Sequence, residues 1–409
     1  MRLLSRPLPV ALLIGFAAQL LFAWRVTVPH KLVFDEIHYV PAARILLDLR
    51  EPWNIEHPLL GKALIALGIT IFGDNPLGWR ALSTLAGTVT VMGLFAIAWL
   101  LFRQLRTAVL AALFAILNIT LFVQARIAML DGFMAAFVVG GLAAMLWSMR
   151  GEGKQVGRRW LLGAVLLGCA AGTKWAAIPY IGLAGLGFLL AKRPWRWPGL
   201  QPMRALAILG LASGATYLLT FLPAFFYAQQ PLTLATLLPF QLEMFRQQTQ
   251  VLPAHTYQSS WWSWPLVIRP IWYLYEPADG AQRGILLLGN PAVMWGGLVA
   301  VALCGWAWLR ERSAALGGVA ALWLAGWGMW ALIPKSLGFF YYYYLPSLWL
   351  PLAIAAAFHH YGRDRFLYWD EAAVALAAGL FYYFYPIIAA EALWGPPAFQ
   401  RWMWFSTWP

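Results

Sequence analysis

Residues 80–102 read RALSTLAGTVTVMGLFAIAWLLF, a run in which only the first position, Arg80, is charged. Wound as a helix at about 1.5 Å per residue, it reaches about 35 Å and crosses the roughly 30 Å hydrocarbon core of a bilayer. Ten more apolar runs share its character, at 8–28, 107–124, 128–149, 160–174, 176–191, 204–226, 291–309, 314–333, 338–358 and 371–390. The pattern predicts an all-α polytopic membrane protein of about 11 transmembrane helices. Residues 59–72 are apolar too but short for a span, and predict an amphipathic helix lying on the membrane surface within the first outer loop.

Composition agrees with this reading. Of 409 residues 62% are hydrophobic and 11% charged, whereas soluble domains are nearer half apolar and a quarter charged. A soluble enzyme, a disordered tail and a collagen-like fibre are excluded. Apolar residues run continuously rather than alternating, which argues against an outer-membrane barrel. The net charge of +13 is accounted for by basic inner loops and anionic headgroups, with no nucleic-acid partner. Cys169 and Cys304 lie inside apolar runs, where neither a disulfide nor a metal site is expected. Met1–Arg6 followed by an apolar run resembles a signal peptide, but no small-residue cleavage site precedes Trp24, so the run is read as an uncleaved first span.

Charge parity orients the chain. With a cytoplasmic N-terminus the inner segments carry 16 of the 29 basic residues against five acids, and the outer segments 13 against 11. That asymmetry is the positive-inside signature. Counting 59–72 as a span would invert every later loop and place 151–159 outside. Three regions follow: an N-terminal seven-span module, 1–226, with a first outer loop at 30–79; a second large outer loop, 227–290; and a C-terminal four-span module, 291–409. Inner loops are too short to hold a domain, so chemistry belongs on the outer face.

Four features there carry chemical potential. Phe34-Asp35-Glu36-Ile37-His38-Tyr39 puts two adjacent acids just outside span one, where a carboxylate can take a proton from an incoming hydroxyl or hold a divalent cation; a solvated loop without a role is the plain alternative. Glu56-His57-Pro58-Leu59-Leu60-Gly61-Lys62 reads as a helix start whose N–H groups, with His57 and Lys62, suit a phosphate, or as a surface helix with a snorkelling lysine. Arg80, Arg126, Asp131 and Lys174 sit at outer span ends, where several cations suit an anionic ligand such as a lipid phosphate and where pairing, for instance of Arg126 with Asp131, is the alternative. His255 to Pro265, followed by Arg269, interleaves aromatic rings with His255, Gln258 and Arg269: sugar stacking, or an interfacial aromatic belt. Lys335 is a further phosphate candidate.

Taken in order, these stretches resemble the protein O-mannosyltransferases, enzymes of the GT-C class. The family's Asp-Glu-X-His pair corresponds to Asp35-Glu36-Ile37-His38. Its His-Pro-Pro-Leu-Gly-Lys-like segment corresponds to His57-Pro58-Leu59-Leu60-Gly61-Lys62, with Leu59 in place of the second proline. Arg80 opens the next span; Arg126–Asp131, Lys174-Trp175, His255–Ser260, Trp264-Pro265 and Phe340–Pro346 follow. The resemblance implies a GT-C glycosyltransferase fold and an inverting transfer of a sugar, mannose by the family's habit, from a polyprenyl-phosphate donor to a Ser or Thr hydroxyl of a translocated protein at the periplasmic face of a bacterial inner membrane. It implies Asp35 as general base, with Glu36 beside it as a catalytic group that orients a sugar hydroxyl or a basic residue. Arg80, Lys174, Arg269, Arg126, His57, Lys62, His255, Gln258 and Lys335 are then expected around donor phosphate and sugar, and His38 and Trp264 toward the acceptor. Asp131 is expected as a structural pair. No metal and no cofactor are expected, since cations stabilise the leaving phosphate. Eukaryotic members carry a soluble domain in the large outer loop, for which 227–290 is too short. Transferases that place aminoarabinose on lipid A share the Asp-Glu start. A lipid-linked-sugar flippase is the opposing class, and a non-catalytic assembly subunit a third reading.

Overall fold

The computed structural model describes residues 6–193, 195–333, 335–362 and 368–409; of the charges counted above, Arg2, Arg363, Asp364 and Arg365 lie outside them. In the N-terminal module the helices are α1 (Pro7–Ala23), α2 (Glu36–Leu47), α3 (Leu60–Phe72), α4 (Pro76–Phe102), α5 (Leu105–Ile116), α6 (Ile119–Gln124), α7 (Leu130–Ser148), α8 (Lys154–Ala171), α9 (Ile178–Ala191) and α10 (Pro202–Leu219). The second outer loop holds α11 (Leu234–Thr249) and a hairpin of β1 (Ile271–Ala278) and β2 (Ala281–Leu287). Then come α12 (Pro291–Glu311), α13 (Ala314–Gly328), α14 (Tyr344–Ser347), α15 (Trp349–Tyr361) and α16 (Trp369–Ile388).

Each predicted apolar run is helical, although among the described residues only six helical segments are both long and apolar enough to cross a membrane: 76–102, 130–148, 202–226, 291–311, 314–331 and 369–388. The run at 107–124 is broken at Asn118, whose side chain accepts from the Thr120 N–H and so starts α6, as N-caps do. The stretch 59–72 is α3, packed between α2 and α4. One element departs from the all-helical expectation. β1 and β2 pair antiparallel from Ile271↔Leu287 to Ala278↔Ala281. They turn at Asp279-Gly280, both at positive φ, the backbone that a two-residue hairpin demands and that Asp-Gly accepts.

Helices α1, α4, α7, α8 and α10 pack in series. Gln19 bridges α1 to α4 through Thr84 and Thr88, at 2.7 and 2.8 Å, the kind of interhelical bond that holds apolar helices together in lipid. α15 packs on α5 and joins the two modules, and Thr120 meets Ser347 at 2.8 Å across the same seam. Because successive helices alternate in direction, the end of α1, the starts of α4 and α7, the ends of α6 and α8 and the entrance to α14 gather at one end of the bundle.

Candidate active site

Adjacent in sequence, Asp35 and Glu36 are placed in opposite environments. Glu36 opens α2 and is fully buried. Its carboxylate accepts from Arg80 Nε and Nη2, both at 2.8 Å, and from the N–H groups of Val33 and Ala128, at 2.9 and 2.8 Å. Arg80, also fully buried, gives its remaining N–H groups to the carbonyls of Val26, Pro29 and Lys31. All five guanidinium donors are consumed. The expectation that Arg80 grips the donor phosphate is therefore corrected: it has neither an exposed face nor a free donor, and with Glu36 it ties the loop after α1 to α4. Glu36, expected as a catalytic group orienting a sugar hydroxyl or a basic residue, does the latter: it holds Arg80, and, fully buried, it is not placed to meet a sugar.

Arg126 is likewise corrected. It neither faces a ligand nor pairs with Asp131. Its guanidinium donates to the carbonyls of Phe22 and Trp24, at 2.9 and 2.5 Å, and lies 4.9 Å from the Phe122 ring. It caps the C-terminal carbonyls of α1, where a cation is favoured. Arg269 serves the backbone too, bonding the carbonyls of Thr407, Pro409 and Thr256 over the Tyr257 ring. Trp264, expected at the acceptor, is 2% exposed, donates to Ser259 Oγ at 3.0 Å and packs edge-on against Trp330 and Tyr342. Lys62 is 1% exposed and holds the carbonyls of Trp53 and Asn54, the latter at 2.5 Å, fixing the turn before His57.

Asp35 is half-buried and makes a single side-chain hydrogen bond, accepting from the Tyr39 hydroxyl at 3.3 Å. Tyr39 is one helical turn on, which is why it reaches back. Burial raises the Asp35 pKa above the ordinary carboxylate value; the Lys174 charge opposes that rise, the Asp131 charge adds to it, and His38 and the Tyr39 bond oppose it. Lys174 Nζ meets Asp131 Oδ2 at 2.7 Å, both nearly buried, and lies 5.3 and 5.9 Å from the Tyr341 and Tyr342 rings. Asp131 sits in the first turn of α7, whose dipole favours an anion. Phe34 stacks on Tyr273 at 4.0 Å and sets the approach to Asp35.

On the other side stands His57, its ring edge-on to Tyr39 at 5.9 Å. Burial and the charges of Lys174, Lys62 and Lys335 push the His57 pKa well down, so the ring is neutral. α11 closes over this wall: Gln248 donates to the Glu56 carbonyl at 2.6 Å and lies 3.5 Å from His57 Nδ1, while Lys335 Nζ donates to the Gln248 carbonyl at 2.9 Å. Among the described residues Lys335 Nζ has no hydrogen-bond partner besides that carbonyl, and burial, with Lys174 next, lowers its pKa to about 8. His255 and Gln258 form an exposed turn whose neighbour Ser259 bonds the Gly338 carbonyl, with the His255 ring on Phe339. They stand at the rim. His38 is exposed beside Asp35.

Sequence reasoning missed Tyr39, Gln248, Tyr273, Tyr341 and Tyr342 as parts of this site. Tyr39 carried a local signal, its position four residues after Asp35, and Tyr341 and Tyr342 lie in the Phe340–Pro346 stretch; Gln248 and Tyr273 arrive by tertiary packing. Among the described residues no group of three or more His, Cys, Asp and Glu side chains could hold a metal ion.

The chain thus brings one under-bonded carboxylate, a lysine-carboxylate pair, a second lysine, a neutral histidine and a tyrosine wall to one end of a helical bundle. Comparison with known proteins matches both of its halves. Residues 56–227 match the family described as dolichyl-phosphate-mannose-protein mannosyltransferase. Residues 233–408 match the C-terminal four-transmembrane region of protein-O-mannosyltransferase. A polyprenol-phosphate-mannose–protein mannosyltransferase of Mycobacterium tuberculosis is 29% identical over 376 residues, spanning 76% of this chain and 72% of the relative. The S. cerevisiae protein O-mannosyltransferase Pmt1-Pmt2 complex bound to the sugar donor superposes with a TM-score of 0.84 at 12% identity, over 98% of this chain and 92% of that one. ArnT from Cupriavidus metallidurans bound to undecaprenyl phosphate superposes at 0.60 with 18% identity, over 94% of this chain and 64% of that one. With both halves matched in order and the fold shared throughout, the chain belongs to the protein O-mannosyltransferase family and has the GT-C fold.

Proposed function

We propose that this protein transfers mannose from a polyprenyl-phosphate donor to a Ser or Thr hydroxyl of a protein acceptor, with Asp35 as general base. The observation that carries the assignment of the base is the contrast at positions 35 and 36: of two neighbouring carboxylates, Asp35 alone keeps free lone pairs and faces open space. The acceptor oxygen attacks the anomeric carbon as Asp35 takes its proton. The bond from that carbon to the phosphate oxygen breaks, and its electron pair leaves on the lipid phosphate. One displacement inverts the centre. No covalent sugar intermediate forms, unlike the retaining glycosidase route. A carboxylate raised by burial is a stronger base than an exposed one, and it accepts the proton as attack proceeds.

The leaving phosphate needs charge more than a proton. Among the described residues Lys335 and His57 have free donors on the side of the cluster away from Arg80, and Lys174 supports them while neutralising Asp131. His255 and Gln258 guide the donor at the rim, and His38 meets the acceptor. No metal or cofactor takes part. The site faces the periplasm of a bacterial inner membrane and the N-terminus the cytoplasm, as the distribution of basic loops supports.

The test is purified protein in nanodiscs, given radiolabelled polyprenyl-phosphate-mannose and a Ser/Thr-rich peptide. Label in the peptide with wild type and none with Asp35→Asn, at unchanged donor binding, is the expected result. Donor binding without peptide labelling transfers the reading to a lipid or glycan acceptor. Movement of donor across the bilayer without any acceptor would favour the flippase class.

A further inference from the structure

At the end of the bundle remote from Asp35, a groove of about 520 Å³ runs along the surface of α7 between α4 and α8. Its construction is regular. The floor is Gly140, Ala143, Ala144 and Trp147 of α7, spaced as one face of a helix. One wall is Ala96, Trp99 and Leu100 of α4, ending on Arg103; the other is Leu162 and Leu166 of α8, beginning from Arg159. Arg150 follows α7 at the same level. Small residues open the channel: a β-carbon on Gly140 would meet only Leu166, at 3.7 Å.

Three arginines crown these apolar walls. Arg159 lies 3.9 Å from the Trp147 ring and Arg103 5.0 Å from the Trp99 ring. Arg150 donates to the Leu100 carbonyl at 3.3 Å, and Arg159 to the Trp147 carbonyl and Gln155 Oε1. Each keeps free N–H groups. Among the described residues none of the three has a carboxylate partner, and the neighbouring acid, Glu152, pairs with no base. Three converging guanidinium groups left without an anion, above tryptophans at headgroup level and an apolar channel, match the two ends of an anionic lipid.

We propose that this groove binds one anionic glycerophospholipid of the leaflet opposite the active site, its phosphate held by Arg103, Arg150 and Arg159 and an acyl chain laid along Gly140 and Ala143. The occupant is not the reacting donor. α7 starts beside Asp131 and ends beside Arg150, and its 19 residues separate the two levels by about 28 Å. A free phosphate ion would leave the apolar floor unused. The lipid would splint the α4–α7–α8 layer whose other end carries Asp131 and Lys174.

Native mass spectrometry of the full chain in detergent, titrated with phosphatidylglycerol, phosphatidylcholine or polyprenyl phosphate, tests this. One phosphatidylglycerol per chain is expected to persist where phosphatidylcholine is stripped. The triple variant Arg103→Gln/Arg150→Gln/Arg159→Gln, made at two exposed side chains and one half-buried one, is expected to weaken it roughly a hundredfold, three charges acting together. Gly140→Leu fills the channel and is expected to lose the lipid too; should that variant misfold, the arginine variant decides alone. Equal retention of phosphatidylcholine, unchanged retention by the triple variant, or displacement of phosphatidylglycerol by equimolar polyprenyl phosphate each overturns the proposal.

Discussion

Asp35 and Glu36 are neighbours in the chain and opposites in the fold. Glu36 accepts four hydrogen bonds and meets no solvent, while Asp35 accepts one, at 3.3 Å, and stays half-open. A carboxylate gripped by four donors is fixed in position. A carboxylate with one is free to exchange a proton. The same division runs through the cations: Arg80, Arg126 and Arg269 spend their donors on backbone carbonyls and Glu36, whereas among the described residues Lys335 makes one hydrogen bond and Lys174 stands over the tyrosine wall. Rigid arginine forks, with Lys62, build the frame, whereas Lys335 is the half-exposed cation beside the cluster.

The largest expected effect breaks the reactive side. Asp35→Asn keeps the shape and removes the base, so turnover should fall roughly a hundred- to ten-thousandfold with donor binding intact. Stability should move the other way. Because folding raises the Asp35 pKa, the folded state disfavours the ionised carboxylate. Stability present at pH below the unfolded value, near 4, is lost as pH rises through the folded value. Asp35→Asn is therefore expected to melt no lower, and at neutral pH higher, than wild type. A variant that loses both turnover and melting temperature would put Asp35 in the frame instead.

Arg80→Leu should do the reverse. It strands a buried carboxylate, for which losses of about 3–5 kcal/mol are typical, and it releases the Val26, Pro29 and Lys31 carbonyls. Little folded protein is expected, and what folds should bind donor normally. Arg80→Lys should rescue poorly, since an ammonium group cannot reproduce the five-donor fork. Scanning calorimetry in detergent reads both variants.

The frame was the harder part to read from sequence. Apolar runs gave the helices because a lipid solvent leaves the backbone few alternatives. Adjacent acids outside span one pointed to the loop in which Asp35 stays half-open. But an arginine at the start of a span looks the same whether it awaits a phosphate or closes on Glu36, and the two outcomes differ only in tertiary contacts 44 residues apart. Arg126 and Asp131 suggested a pair by nearness in the loop. Instead Arg126 turns to the end of α1 and Asp131 to Lys174, because each finds better-placed partners on other helices. The β1–β2 hairpin was legible in Asp279-Gly280 and was hidden by the surrounding apolar text. The tyrosine wall had no local signature of a role.

Lys335 sharpens the comparison from the cationic side. If its ammonium group holds the leaving phosphate, Lys335→Gln should raise the donor KM roughly ten- to a hundredfold, in line with a hydrogen bond to a charged group, and leave the melting temperature near wild type. With its pKa lowered to about 8, the lysine loses its charge as pH rises through that value. The KM penalty of the variant should then be full at pH 7 and shrink above pH 8. A penalty that stays constant across that range would mean that Lys335 acts only through its bond to the Gln248 carbonyl.

The smallest effect is the most discriminating. Lys174 and Asp131 act on Asp35 with opposite sign: the lysine favours its ionised form and the aspartate opposes it, the lysine more strongly. If Asp35 is the base, the acid limb of the rate profile reports its ionisation, with turnover rising as pH rises through the folded pKa. Removing the lysine in Lys174→Met should move that limb to higher pH. Asp131→Asn should move it to lower pH. Both variants break a buried pair and will lower stability, so the position of the limb, rather than the height of the plateau, is the quantity to compare. Shifts in the same direction would mean that the limb belongs to another group. Opposite shifts would tie the base to Asp35, the carboxylate on which those two charges act in opposite directions.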